Sequence, residues 1–183
     1  MTDGHVGPDL DPDPLAGVSD LVRTVPDFPA PGVVFRDITP ALADGEAFTA
    51  VAVALAALVG EADLVVGVEA RGFLLGAAAA LTAGTGIVPI RKAGKLPRVA
   101  ASRSYELEYG TATLELPADA VPAGARVFVV DDVLATGGTA AATCALLADA
   151  GAEVVGVGVL LELVALGGRG RLDPLPVHAV LTI

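Results

Sequence analysis

The sequence predicts an α/β fold: a mostly parallel central sheet with helices on both faces, plus a hairpin inserted between two of its strands. Short runs rich in Val, Leu and Ile recur at Leu64–Val68, Ile87–Ile90, Val127–Val130, Val154–Leu161 and Val177–Ile183. Continuous apolar strands of this kind belong to a sheet buried on both faces. Helical segments at Phe48–Val59, Gly72–Ala83 and Thr139–Ala150 separate most of them, and such alternation builds parallel crossovers. Between Ile90 and Val127 the alternation breaks off, which is where the hairpin is expected.

Taken in order, Met1–Pro14 is Asp, Pro and Gly with little to bury and is expected as a disordered, acidic, Pro-rich tail. Residues 15–183 are expected as a single domain. Leu15, Val18, Leu21 and Val22 fall at helical spacing and predict a short helix over Leu15–Val25. Pro26-Asp27-Phe28-Pro29-Ala30-Pro31-Gly32 then forces a stiff, irregular loop. Arg91–Ser104 is basic, lacks periodicity and reads as a long loop. Tyr105–Tyr109 and Thr111–Leu116 flank Gly110 and read as a hairpin.

Bulk properties remove several classes of function. Hydrophobic residues make up 54% of the chain and charged residues 18%, with aromatics at 4%, so the core must be built from Val, Leu and Ala. A net charge of -11 repels a phosphate backbone, which argues against nucleic acid. The one cysteine, Cys144, lies in an apolar helical context and is expected as a buried thiol; a cytoplasmic, reduced setting fits. No basic residues lead into an apolar run at the N-terminus, so no signal peptide is expected. Phe73–Ile90 is uncharged, but its glycines, threonines and Pro89 make it a helix, a turn and a strand rather than a membrane span. His5 and His178 are isolated and suggest no metal site.

The strongest local signal is Val127-Phe128-Val129-Val130-Asp131-Asp132-Val133-Leu134-Ala135-Thr136-Gly137-Gly138-Thr139. An apolar strand runs into two acids, a Thr-Gly-Gly-Thr turn and a helix. A Gly-rich turn entering a helix directs several N–H groups at one point, where the helix dipole also favours an anion. Carboxylates repel phosphate at contact distance, so Asp131 and Asp132 suit sugar hydroxyls. Phosphate on the turn and hydroxyls on the acids describe a ribose 5-phosphate. Neither a P-loop nor a dinucleotide-binding glycine pattern is present.

Four further segments complete the set. Val66-Gly67-Val68-Glu69-Ala70-Arg71-Gly72-Phe73 puts Arg71 between a strand and a helix, where its planar fork can grip a phosphate. Arg91, Lys92 and Lys95 concentrate cations in an acidic chain. Glu106 and Glu108 share one face of a strand in Ser104-Tyr105-Glu106-Leu107-Glu108-Tyr109-Gly110. In Pro31-Gly32-Val33-Val34-Phe35-Arg36-Asp37-Ile38-Thr39-Pro40, Phe35 can stack on a planar base while the backbone offers both donors and acceptors. Adenine's edge matches such a backbone, whereas an oxo-purine would prefer a side-chain donor.

The thirteen-residue string resembles the donor-binding loop of the type I phosphoribosyltransferases, and the other segments resemble those of the adenine phosphoribosyltransferases. The matches run in order from Pro26 to about Leu172. The resemblance implies the type I phosphoribosyltransferase fold and transfer of adenine onto 5-phosphoribosyl 1-pyrophosphate, giving AMP and pyrophosphate. It implies that Asp131 and Asp132 bind the ribose hydroxyls and that Ala135, Thr136, Gly137, Gly138 and Thr139 hold the 5-phosphate. Glu69, Ala70, Arg71, Arg91, Lys92 and Lys95 would serve the pyrophosphate. Glu69-Ala70 stands where some members have Asp-Ser, a tolerable change if backbone and Arg71 do the gripping. Val34 and Arg36 would read the base through their backbone, Phe35 would stack on it, and Leu163 is a weaker candidate for its other face. Glu108, with Arg71, is the implied catalytic pair, Glu108 handling a proton at the purine imidazole ring from a flexible hood that also carries Tyr105 and Tyr109. The resemblance further implies Mg2+, held mainly by the substrate's pyrophosphate, and a homodimer. Two rivals remain at this point: transfer to hypoxanthine, guanine, xanthine or orotate, and a regulator that senses the sugar pyrophosphate without catalysis. Arg103 is left without a role.

Overall fold

A computed structural model describes residues 15–106 and 110–183. The expected tail, Met1–Pro14, and three hood residues, Leu107, Glu108 and Tyr109, lie outside the described residues. The chain divides at Ala50 into two compact units.

In the first unit, β1 (Arg23–Pro26) pairs antiparallel with β2 (Val34–Asp37), and α1 (Thr39–Ala43) follows with Pro40 in its first turn. The helix expected over Leu15–Val25 is not formed: Ser19–Leu21 makes a short 3-10 turn and Arg23 onward is strand. Val22, Thr24 and Val25 are β-branched, and pairing with β2 gives their backbone the partners that so short a helix could not. The apolar spacing was real, but the pairing outweighed it.

Helix α2 (Gly45–Val59) leads into the second unit, whose seven-stranded sheet has the order β5-β6-β4-β3-β7-β8-β9. These are β3 (Leu64–Val68), β4 (Gly86–Lys92), β5 (Val99–Glu106), β6 (Thr111–Pro117), β7 (Arg126–Leu134), β8 (Glu153–Glu162) and β9 (Val177–Thr182). Strands β4, β3, β7, β8 and β9 pair in parallel; β6 and β5 join antiparallel at one side. Helices α3 (Arg71–Ala83) and α4 (Gly138–Asp149) cover opposite faces. Val65 and Phe128 are register partners and so share a face. Gly76 of α3 meets Val65 there, and Leu55 of α2 lies beside Phe128 at Gly158. The alternate residues, among them Val66, Val127, Val129 and Val157, form the other core with Leu146, Leu147 and Cys144 of α4. This is the expected α/β fold.

Two strand boundaries differ from expectation. Arg91 and Lys92 end β4, and Val99–Ser104 belongs to β5, so the long basic loop shrinks to residues 93–98. β5 is the edge strand of the sheet, and only Ala101 and Tyr105 of it pack on the core, so it lacks the apolar alternation by which a strand is recognised. β7 runs on past Val130 through both aspartates to Leu134. Phe73–Ile90 is a helix closed by left-handed Gly84 and then a strand; no described helix is long and apolar enough to cross a membrane.

Candidate active site

From β3 the chain crosses to β4 on one side, and from β7 to β8 on the other. The carboxyl ends of β3 and β7 therefore flank the point where the sheet's winding reverses, the place where open α/β sheets bind ligands. Glu69, Ala70 and Arg71 follow β3. Asp131 and Asp132 lie near the end of β7, and Ala135–Thr139 follows it. The sequence-derived candidates for ribose, phosphate and pyrophosphate thus converge at one end of one sheet.

The turn after β7 is shaped for close backbone approach. Gly137 has φ 79° and caps α4; no side chain caps that helix among the described residues, which leaves its first N–H groups to a ligand. The turn is backed by Gly168, in a short 3-10 helix Gly168–Leu172. A β-carbon on Gly137 would fall 2.3 Å from the Gly168 carbonyl oxygen, and one on Gly168 would fall 2.2 Å from that of Ala135. Only glycine fits at either place.

Helix α3 is brought just as close to β7. A β-carbon on Gly72 would lie 2.9 Å from both the Val130 carbonyl oxygen and Asp131 Oδ1. This contact sets Arg71, the first residue of α3, beside the aspartates: its Nη2 lies 2.5 Å from Asp132 Oδ2. The approach is an ion pair without hydrogen-bond geometry, since Oδ2 is buried and accepts no hydrogen bond. Both aspartates are buried, at 8% and 9% exposure. Burial raises the Asp131 pKa well above the usual carboxylate range, and the neighbouring Asp132 charge raises it further. Asp131 Oδ1 accepts a hydrogen bond from the Asp132 amide at 2.8 Å.

Glu69 gathers the cationic segment. It is ion-paired with Lys95, accepts from Arg91 Nε at 3.2 Å and accepts from the Lys92 amide at 2.8 Å. Burial works to raise its pKa, but these donors outweigh burial and hold it down at about 2. The guanidinium of Arg91 also lies 5.7 Å from the Phe73 ring centre. The sequence reading treated Glu69 as a tolerated replacement; the structure makes it the group on which Arg91, Lys92 and Lys95 converge. Ala70 precedes α3 as its N-cap, again with no side-chain cap, and the Glu69–Ala70 peptide is cis.

Of the hood, β5 and β6 form the expected hairpin. Tyr105 is half-buried, and its phenol oxygen accepts a hydrogen bond from Thr139 Oγ1 at 3.1 Å, which joins β5 to the start of α4. Arg103, unexplained in the sequence, pairs with Asp149 at 2.7 Å and ties β5 to the end of α4. Leu163 follows β8, its amide donating to the Leu134 carbonyl at 2.9 Å. Within the first unit, Phe35 packs edge-on against Phe28 with ring centres 5.2 Å apart, and Arg36 is hydrogen-bonded through its side chain to Thr24. Pro26 has no N–H, so the Pro26–Val34 pair cannot exchange two hydrogen bonds. By alternation the backbone groups of both Val34 and Arg36 then face away from β1.

Comparison with known proteins agrees with this geometry. The phosphoribosyl transferase domain family matches residues 40–174. An adenine phosphoribosyltransferase of Saccharopolyspora erythraea is 60% identical over 168 residues, covering 92% of each chain. The chain belongs to the adenine phosphoribosyltransferase family. Among solved structures, the family member from Rhodothermus marinus superposes with a TM-score of 0.87 at 48% identity, covering 93% of this chain and 98% of its own. The family member from Saccharomyces cerevisiae, crystallised with an imino-altritol bisphosphate and adenine, gives a TM-score of 0.85 at 36% identity, over 91% of this chain and 98% of that one. The missed members of the site's frame are Gly168 and Arg169-Gly170-Arg171, whose only signal was a glycine run broken by cations.

Proposed function

We propose that this chain transfers adenine onto 5-phosphoribosyl 1-pyrophosphate, forming AMP and releasing pyrophosphate in purine salvage. The observation that carries it is the N–H-rich turn Ala135–Thr139 facing Arg71 across the sheet's reversal point. The turn, with Thr136, Gly137, Gly138 and Thr139, holds the 5-phosphate, and Asp131 and Asp132 hold the ribose hydroxyls. Arg71, Ala70 and the cations Arg91, Lys92 and Lys95, organised by Glu69, receive the pyrophosphate as charge develops on it. Val34 and Arg36 read adenine through their backbone while Phe35 stacks on it. Glu108 manages the base's proton from a hood shared with Tyr105 and Tyr109, and closure of that hood keeps water from the activated sugar. Residues 15–183 work as one catalytic domain.

The reaction read here also takes Mg2+. Asp132 Oδ2 already faces the Arg71 guanidinium, so the cation would be held mainly by the substrate's pyrophosphate, and when bound it neutralises the leaving group. A cytoplasmic homodimer completes the reading. Leu74 and Leu81, two turns apart on one side of α3, are 54% and 84% exposed and give a second copy an apolar face to cover. Incubating the protein with Mg2+, the sugar pyrophosphate and each purine separately tests the assignment. AMP from adenine is the expected product; formation of another nucleotide instead, or of none, overturns it.

A further inference from the structure

Gly168–Leu172 is fastened at both sides. Gly168 packs against the backbone of Ala135, Thr136 and Gly137, so closely that a single β-carbon would collide with all three. Arg169 is bound to both carboxylate oxygens of buried Glu162, with its Nε 3.0 Å from Oε1, and to the Val177 carbonyl. Its charge is therefore spent on Glu162. Arg171, two residues on, is different. It is exposed, and among the described residues it has neither an ion pair nor a hydrogen bond. Its Nη1 lies 3.8 Å from where a β-carbon of Gly138 would stand, the first residue of α4, and the Tyr105 ring lies equally near that point. Arg171, Tyr105 and Gly138 line one cleft of about 460 Å³.

We infer that Arg171 is a further ligand of the substrate's 5-phosphate. This rests on the reading of Ala135–Thr139 as the phosphate turn. A phosphate monoester brings close to two negative charges, and this turn lies beside two aspartates in a chain of net charge -11. Amides and hydroxyls alone leave that charge uncompensated. A guanidinium near the start of α4 supplies a counter-charge and two donors in the fork geometry that suits phosphate. The Gly168 contact and the Arg169–Glu162 pair act as the splint that keeps it there.

The test compares AMP with adenosine, which differ only in the phosphate, for binding to the wild-type protein and to Arg171→Gln and Arg171→Lys. Arg171→Gln is expected to weaken AMP about tenfold and leave adenosine unchanged, as loss of one charge-assisted hydrogen-bonding group requires. Arg171→Lys, which keeps the charge, is expected to recover most of the loss. Equal weakening of both ligands would assign Arg171 a structural role and overturn the inference, as would unchanged AMP binding by Arg171→Gln. If the wild-type protein binds AMP no better than adenosine, the phosphate turn itself falls, and Arg171 with it.

Discussion

Replacing Gly168 by alanine tests whether the phosphate turn owes its shape to the segment behind it. The added β-carbon would stand 2.2 Å from the Ala135 carbonyl oxygen, 2.8 Å from the Gly137 nitrogen and 3.0 Å from the Thr136 carbonyl carbon. Atoms pack at roughly 3.5 Å, so turn and 3-10 helix must part by about 1 Å. All three atoms are backbone, so no side chain can rotate away. Overpacking of this kind costs about 1–3 kcal/mol, which for a chain of this size lowers Tm by about 3–9 °C. Misplacing a binding loop by 1 Å also raises the donor KM, by about tenfold or more. Gly170→Ala is the matched control, because nothing lies within 4 Å of its β-carbon and its φ is not positive. Thermal melts and donor KM values of the two variants decide the matter. If Gly168→Ala melts within about 1 °C of Gly170→Ala and keeps its donor KM, the turn does not depend on that contact.

Four other outcomes are expected. Glu69→Gln should flatten the acid limb of the stability profile: with its folded pKa held at about 2 against an ordinary 4.5, Glu69 stabilises the fold above pH 4.5, and that contribution fades as pH falls toward 2, so a wild-type-like acid melt in the variant would refute its organising role. Glu108→Leu should lower turnover by about a hundredfold or more while sparing donor binding, and unchanged kcat would remove it from the mechanism. Asp131→Ala with Asp132→Ala should weaken donor binding, with calorimetry as the measure; retained affinity refutes the ribose assignment. Cys144, buried and with its thiol pKa pushed up to about 11 by that burial, should resist an aromatic disulfide reagent at pH 8 until the protein unfolds, and rapid reaction of the folded chain would contradict its place in the core.

What could be read in advance divides along a physical line. The central strands announced themselves because both of their faces are buried: β3 is found at Leu64–Val68, as its unbroken apolar run predicts. The strand, turn and helix from β7 into α4 were legible because their signal is local: an apolar run, a glycine pair and an Ala-rich helix start follow one another directly. Contacts between distant segments left no such trace. Glu69 meets Lys95 across 26 positions, and Arg103 meets Asp149 across 46; in each case the sequence shows two opposite charges among many. The first part of edge strand β5, Val99–Ser104, was missed for a related reason, since all but Ala101 of these side chains are exposed and no apolar alternation marks the strand. Gly168 joins both causes. Its necessity comes from a carbonyl more than thirty residues earlier, and its own backbone is ordinary, without the positive φ that marks Gly137. A glycine required by local conformation can be inferred from its turn, but a glycine required by another segment's approach becomes visible only once the two segments are seen together. The same reasoning makes Arg171 informative: Arg169 and Arg171 are indistinguishable as letters, and only the fold spends one charge on Glu162 while leaving the other at the start of α4.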